Sequence, residues 1–103
     1  MLKCSVIVVF IALATAGNAR ADVSNGAVLS EQLCSQCHAV KPGQSSPRSA
    51  APTFPSVAAD PSITELSLRA FLRTPHWTMP NIIVKPDDMD DIASYIVSLK
   101  PKQ

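Results

Sequence analysis

Prolines constrain this chain more than any other residue type. Between residues 39 and 61 lie Pro42, Gly43, Pro47, Pro52, Pro55 and Pro61. That density forbids a long helix or a central strand, because each proline fixes φ and removes a backbone donor. An extended loop is expected there, and a loop of this length inside a small domain needs something to wrap.

Helical apolar spacing flanks the loop. A first helix is expected from near Ser24, a favoured N-cap type, through Val28, Leu29 and Leu33 to the cysteines, ending around His38. A second is signalled by Ser62-x-x-Glu65, a possible capping box, with Asp60 as a rival cap; it carries Leu66, Leu68, Ala70, Phe71 and Leu72 and stops before Pro75. The last opens at Pro86, suited to the first helical position. Its apolar stripe is Met89, Ile92, Ala93, Ile96 and Leu99, with Tyr95 alongside, and Pro101 marks its end. Asp87, Asp88, Asp90 and Asp91 read as a solvated helix start rather than a docking patch. No run alternates as a half-buried strand would. The fold class expected is all-α, with about three main helices.

The first 21 residues read as a cleaved signal peptide and residues 22–103 as the domain. Lys3 supplies a positive start, Cys4 to Ala19 carries no charge, and Ala19-Arg20-Ala21 places small residues where a signal peptidase reads them. The uncharged stretch is shorter than the roughly 20 apolar residues of a spanning helix, so cleavage after Ala21 is favoured over a retained anchor. Of nine Lys+Arg and eight Asp+Glu, only Lys3 and Arg20 leave with the leader, and the balance near neutrality excludes a nucleic-acid-binding surface. Cys4 leaves too. Two cysteines remain in a domain small enough to need a staple, a metal or a cofactor.

Those two belong to Cys34-Ser35-Gln36-Cys37-His38, the C-x-x-C-H spacing of c-type haem attachment. Residues three apart share a helix face, so both sulfurs reach one side of a porphyrin while His38 is carried beneath the iron. Three other readings compete. A thioredoxin-like redox pair belongs near a βαβ pattern, which is not visible. A zinc site would need His38 and His76, whose spacing matches no usual finger. A structural disulfide would leave His38 incidental.

With this motif the chain resembles the small bacterial class I cytochromes c over nearly all of residues 22–103. Gly26 stands eight residues before Cys34, where that family has a glycine at a close crossing of the first and last helices, and Tyr95 matches the aromatic near that crossing. A departure is Ser30, where the family often has an aromatic; Leu29 or Leu33 would substitute. The resemblance implies one covalently attached haem c with iron, His38 as proximal ligand, and a sixth ligand from the methionine loop that Thr78-Met79-Pro80-Asn81 resembles. Met79 is the choice, with His76 and Met89 as rivals, although Met89 lies on the core stripe. The family's proline carbonyl for the proximal histidine falls on Pro52, with Pro47 the alternative. Phe54 is expected against the haem, a role Leu66, Phe71 and Ile96 share. Trp77 offers either a donor to a haem propionate or simple packing at the haem edge.

The function implied is electron transport: a periplasmic, single-electron carrier with His/Met ligation, exported by a Gram-negative-type bacterium. Its partners would be larger redox proteins. It is expected to be a monomer with no membrane span after cleavage, and not an enzyme. The alternative is a small haem protein whose open or displaceable sixth site binds a gas or peroxide.

Overall fold

The computed structural model describes residues 20–102 together with residue 12. Apart from residues 12, 20 and 21, the expected leader lies outside the described residues. The elements are α1 (Val23–Cys34), α2 (Phe54–Ala59), α3 (Glu65–Arg73) and α4 (Pro86–Ser98). No strand occurs among the described residues. None of their helices is long and apolar enough to cross a membrane.

The three expected helices are present as α1, α3 and α4, but two of them start elsewhere than the motifs suggested. Asp22, not Ser24, caps α1: its side chain accepts from the Asn25 amide at 3.1 Å. Thr64 caps α3 in place of Ser62 or Asp60. Thr64 Oγ1 accepts from Ser67 N at 3.0 Å, and Ser67 Oγ accepts from Thr64 N at 2.8 Å. That reciprocal pair satisfies two amide donors, whereas Asp60 is spent on Ser62, accepting from its amide at 2.8 Å and its hydroxyl at 2.7 Å. These bonds hold the Asp60 carboxyl below its ordinary range, with a smaller contribution from the Lys100 charge.

The additional helix, α2, lies inside the loop expected to be irregular. Thr53 caps it, accepting from Ser56 N at 3.2 Å, and Pro55 falls in its first turn, where a proline costs no hydrogen bond. Elsewhere the loop behaves as its prolines require. It turns at Pro42-Gly43, where Gly43 has φ of 79°, a left-handed value that side-chain-bearing residues rarely adopt.

Helix α4 is the centre of the packing: α1, α2 and α3 all lie against it. Ile92, Ala93, Tyr95 and Ile96 join Val40, Phe54, Ala58 and Leu68 in one buried cluster. The α1–α4 crossing is very close. A Cβ at Gly26 would stand 2.0 Å from the Asp91 carbonyl oxygen and 2.8 Å from Tyr95 Cβ. One turn further along α1, Ser30 is completely buried and its hydroxyl has no hydrogen-bond partner among the described residues. Of the two candidate substitutes for an aromatic there, Leu29 packs on the core and Leu33 is exposed.

The acidic start of α4 is less solvated than its composition suggested. Asp90 pairs with Arg69 of α3 at 3.1 Å. Asp91 accepts from the Asp22 amide and from Asn25 Nδ2, each at 2.7 Å. Two of the four carboxylates therefore brace neighbouring helices.

Gly26→Ala should destabilise the folded protein by about 3 kcal/mol or more, because the new methyl meets backbone rather than a movable side chain; denaturant unfolding measures it. Tyr95 donates its hydroxyl to the Val40 carbonyl at 2.6 Å, so Tyr95→Phe should cost about 1–3 kcal/mol by orphaning a buried acceptor. Burial, and secondarily the Glu31 charge, raises the Tyr95 phenol above its ordinary 10.0. The stability tied to the neutral phenol is complete below pH 10 and is lost as pH rises through the raised value. An alkaline titration of stability should therefore fall less steeply in the phenylalanine variant.

Candidate functional site

Cys34 is the last residue of α1, and the chain makes one more helical turn beyond it: Cys37 N and His38 N both donate to the Cys34 carbonyl, at 3.2 and 2.9 Å. The helix thus ends four residues earlier than expected, but the local geometry persists to His38. The proline-rich segment then folds back onto the motif. Arg48 N donates to Cys37 O at 3.2 Å, Ser46 Oγ accepts from Ala39 N at 3.0 Å, and Phe54 N donates to Ala39 O at 2.9 Å. With the Tyr95 bond to Val40 O, the backbone from Cys37 to Val40 is tied at four points. Ser46 in particular carried no sequence signal, since a lone serine in a loop resembles any other.

The imidazole of His38 is held as firmly as the backbone. Its Nδ1 lies 2.6 Å from the carbonyl oxygen of Pro52. A carbonyl can only accept, so Nδ1 is the nitrogen that donates here, and in the neutral ring this leaves the lone pair on Nε2, the form in which histidine binds a metal. The carbonyl comes from Pro52 and not from Pro47. Phe54 packs at the ring, with centroids 5.6 Å apart and planes inclined at 47°. Phe54 is itself buried in the core cluster, so His38 is braced by the hydrophobic interior on one side and by the loop on the other.

Cys34 and Cys37 are free thiols, both half-buried. Burial, and after it the charge of Cys37, pushes the Cys34 thiol up to about 11. A thiol-exchange site needs the opposite shift, toward a ready thiolate, and a βαβ unit that the helices do not provide. Among the described residues no three of His, Cys, Asp and Glu converge to hold a metal ion, which leaves the zinc reading without a ligand set. His76 lies elsewhere, stacked on Phe71 with ring centroids 3.5 Å apart.

The segment from Pro75 to Lys85 carries the other candidates and forms no regular element. Met79 is half-buried and lines a small cavity with Leu72, Thr74, His76, Pro80, Asn81 and Ile82. The Nε2 atom of His76 is buried there and has no hydrogen-bond partner among the described residues. Met89 is buried in α4, where the periodicity placed it, and borders a second cavity of about 330 Å³ between the end of α3 and residues 81–84. Trp77 is fully exposed. Among the described residues, no hydrogen bond or ring contact joins Met79 or Trp77 to the Cys34–His38 turn. The structure therefore brings together Cys34, Cys37, His38, Pro52 and Phe54, and holds Met79 and Trp77 on a separate loop.

These residues fit a flat, apolar, iron-bearing group. The imidazole of His38 is fixed in direction by its bond to Pro52, two thiols sit three residues apart on one turn, and Phe54 packs beside the ring.

Comparison with known proteins agrees with that geometry. The chain is 36% identical over 95 residues to cytochrome c-552 of Bradyrhizobium diazoefficiens, an alignment that covers 92% of this chain and 91% of that protein. No solved structure matches the chain. The sequence model of the cytochrome c family matches residues 23–100, from the first residue of α1 to just beyond α4, and the chain belongs to that family of haem electron carriers, with haem c attached covalently and iron at its centre.

Proposed function

We propose that the protein is an exported, periplasmic carrier of single electrons whose haem is bonded through Cys34 and Cys37, with His38 and Met79 as axial ligands. The observation that carries this reading is the 2.6 Å contact of His38 Nδ1 with Pro52 O, which leaves Nε2 as a directed donor next to both thiols. When bound, the haem supplies a one-electron couple between ferrous and ferric iron. The protein's part is positional. The Cys34–Cys37 turn anchors one edge of the group, Pro52 and Phe54 keep the imidazole from rotating, and the 75–85 loop carries the thioether to the opposite face. His38 and Met79 would hold the iron between them and leave no place on it for a substrate, and the group would exchange single electrons with larger redox proteins. Residues 1–21 act as the removed leader, and the remaining chain works as a monomer without enzyme activity. Trp77 is a surface residue near the haem edge.

A thioether ligand raises the reduction potential relative to more strongly donating sets. The unpartnered Nε2 of His76, in the same small cavity as Met79, supports a rival in which that imidazole is the sixth ligand. The two differ in which substitution opens the iron.

A pyridine haemochrome spectrum of the exported protein should show one haem bound through two thioethers, and a colourless product from cells with an intact maturation system would end this reading. Met79→Ala should lower the potential by about 100 mV or more, within the roughly 0.8 V that axial ligands span, and should let the reduced protein bind carbon monoxide, which the parent should resist. An unchanged spectrum in that variant, with the change appearing instead in His76→Ala, would transfer the role to His76.

A further inference from the structure

The backbone nitrogen of Asp22 donates to Oδ1 of Asp91 at 2.7 Å, across 69 residues of sequence, while Oδ2 of the same carboxylate accepts from Asn25 Nδ2 at 2.7 Å. Both bonds fall at the crossing where Gly26 touches the Asp91 backbone. Arg20, Ala21 and Asp22 are exposed and precede the first helical residue, Val23. A peptidase can therefore reach the Ala21–Asp22 bond without opening α1.

We propose that removal of the leader converts the Asp22–Asp91 contact into a terminal ion pair that clamps α1 onto α4, so that export processing itself completes the helix crossing. This rests on cleavage after Ala21. Hydrolysis consumes one water; the new carboxylate departs on Ala21, and Asp22 keeps the nitrogen as a primary amine. An α-amino group ordinarily titrates at about 7.7–8.0, so it takes up a proton at neutral pH. The same atom that was a neutral amide donor becomes an ammonium at hydrogen-bonding distance from a carboxylate.

Hydrogen bonds with ionised partners are roughly twice as strong as neutral ones. The ammonium faces the positive end of the α1 dipole, which opposes it. Two carboxylates counter that effect: Asp91 from α4, and the side chain of Asp22 itself, which caps the Asn25 amide at 3.1 Å. The location matters because the crossing has no side chain at Gly26 to interlock. Charge on the exposed Asp22 side of the crossing adds to the hold that the close backbone packing already supplies.

The test is a four-way comparison on exported holoprotein whose N-terminus has been read by mass spectrometry. The α-amino group is left free or acetylated, which keeps an N–H but removes the charge, in the parent and in Asp91→Asn. Acetylation should raise the unfolding constant of the parent about two- to fivefold, the range of exposed ion pairs, and change Asp91→Asn much less. Raising the salt to about 1 M should shrink the parent's penalty, since the screening length falls to about 3 Å. Equal penalties in both backgrounds, or one that salt does not move, would overturn the ion pair while leaving the cleavage site intact. An N-terminus other than Asp22 would overturn the premise instead. Should Asp91→Asn not accumulate, the salt dependence of the parent's penalty decides alone.

Discussion

Everything else in this fold is arranged around the contact between α1 and α4 at Gly26 and Asp91. A methyl group at Gly26 would lie 2.0 Å from a carbonyl oxygen, so the two backbones touch directly. That closeness sets the angle at which α1 leaves the crossing, and α1 delivers Cys34 at its end. The same α4 carries Tyr95, whose hydroxyl holds Val40 just after the motif. Both ends of the Cys34–His38 turn are thereby referred to one helix, and a small displacement at the crossing would be felt at His38.

The loop after the motif completes the arrangement by hydrogen bonding rather than by regular structure. Residues 39–53 return to the Cys37–Val40 backbone through Ser46 and Arg48 and present the Pro52 carbonyl to the imidazole. Prolines serve this purpose because they lower the conformational entropy lost when an irregular segment is ordered. Phe54 then enters the core as the first residue of α2, which couples the surroundings of His38 to the packing of α4. The loop that carries Met79 is built differently. Residues 75–85 form no regular element and none of them is fully buried, and His76 and Met79 line a small cavity there, so this loop is held less firmly than the segment around His38.

Much of this was legible from residue types and spacing. The Cys34–His38 pattern, the all-helical class, the stripe of α4 and the glycine at position 26 each rest on a local rule that the fold obeys. The misses also have physical causes. Helix α2 was hidden because Pro55 reads as a breaker unless it falls in a first turn, and only the Thr53 cap puts it there. The α3 cap moved because Asp60 and Ser62 bond to each other, leaving Thr64 and Ser67 to form the box. The acidic residues at the start of α4 looked like one solvated group, yet Asp90 and Asp91 reach Arg69 and the start of α1. No local pattern separates them from Asp87 and Asp88.

By itself the sequence determined which chemistry is available and which elements form, since thiol spacing, apolar period and proline placement act over a few residues. Tertiary structure alone decided which carbonyl meets His38, which carboxylates brace a neighbouring helix, and which residues line a cavity with Met79. These depend on chain segments tens of residues apart arriving at the same place, and several residues of the same type compete for each role. Position in three dimensions selects among them, because hydrogen bonds and close contacts are satisfied at about 3 Å and nowhere else.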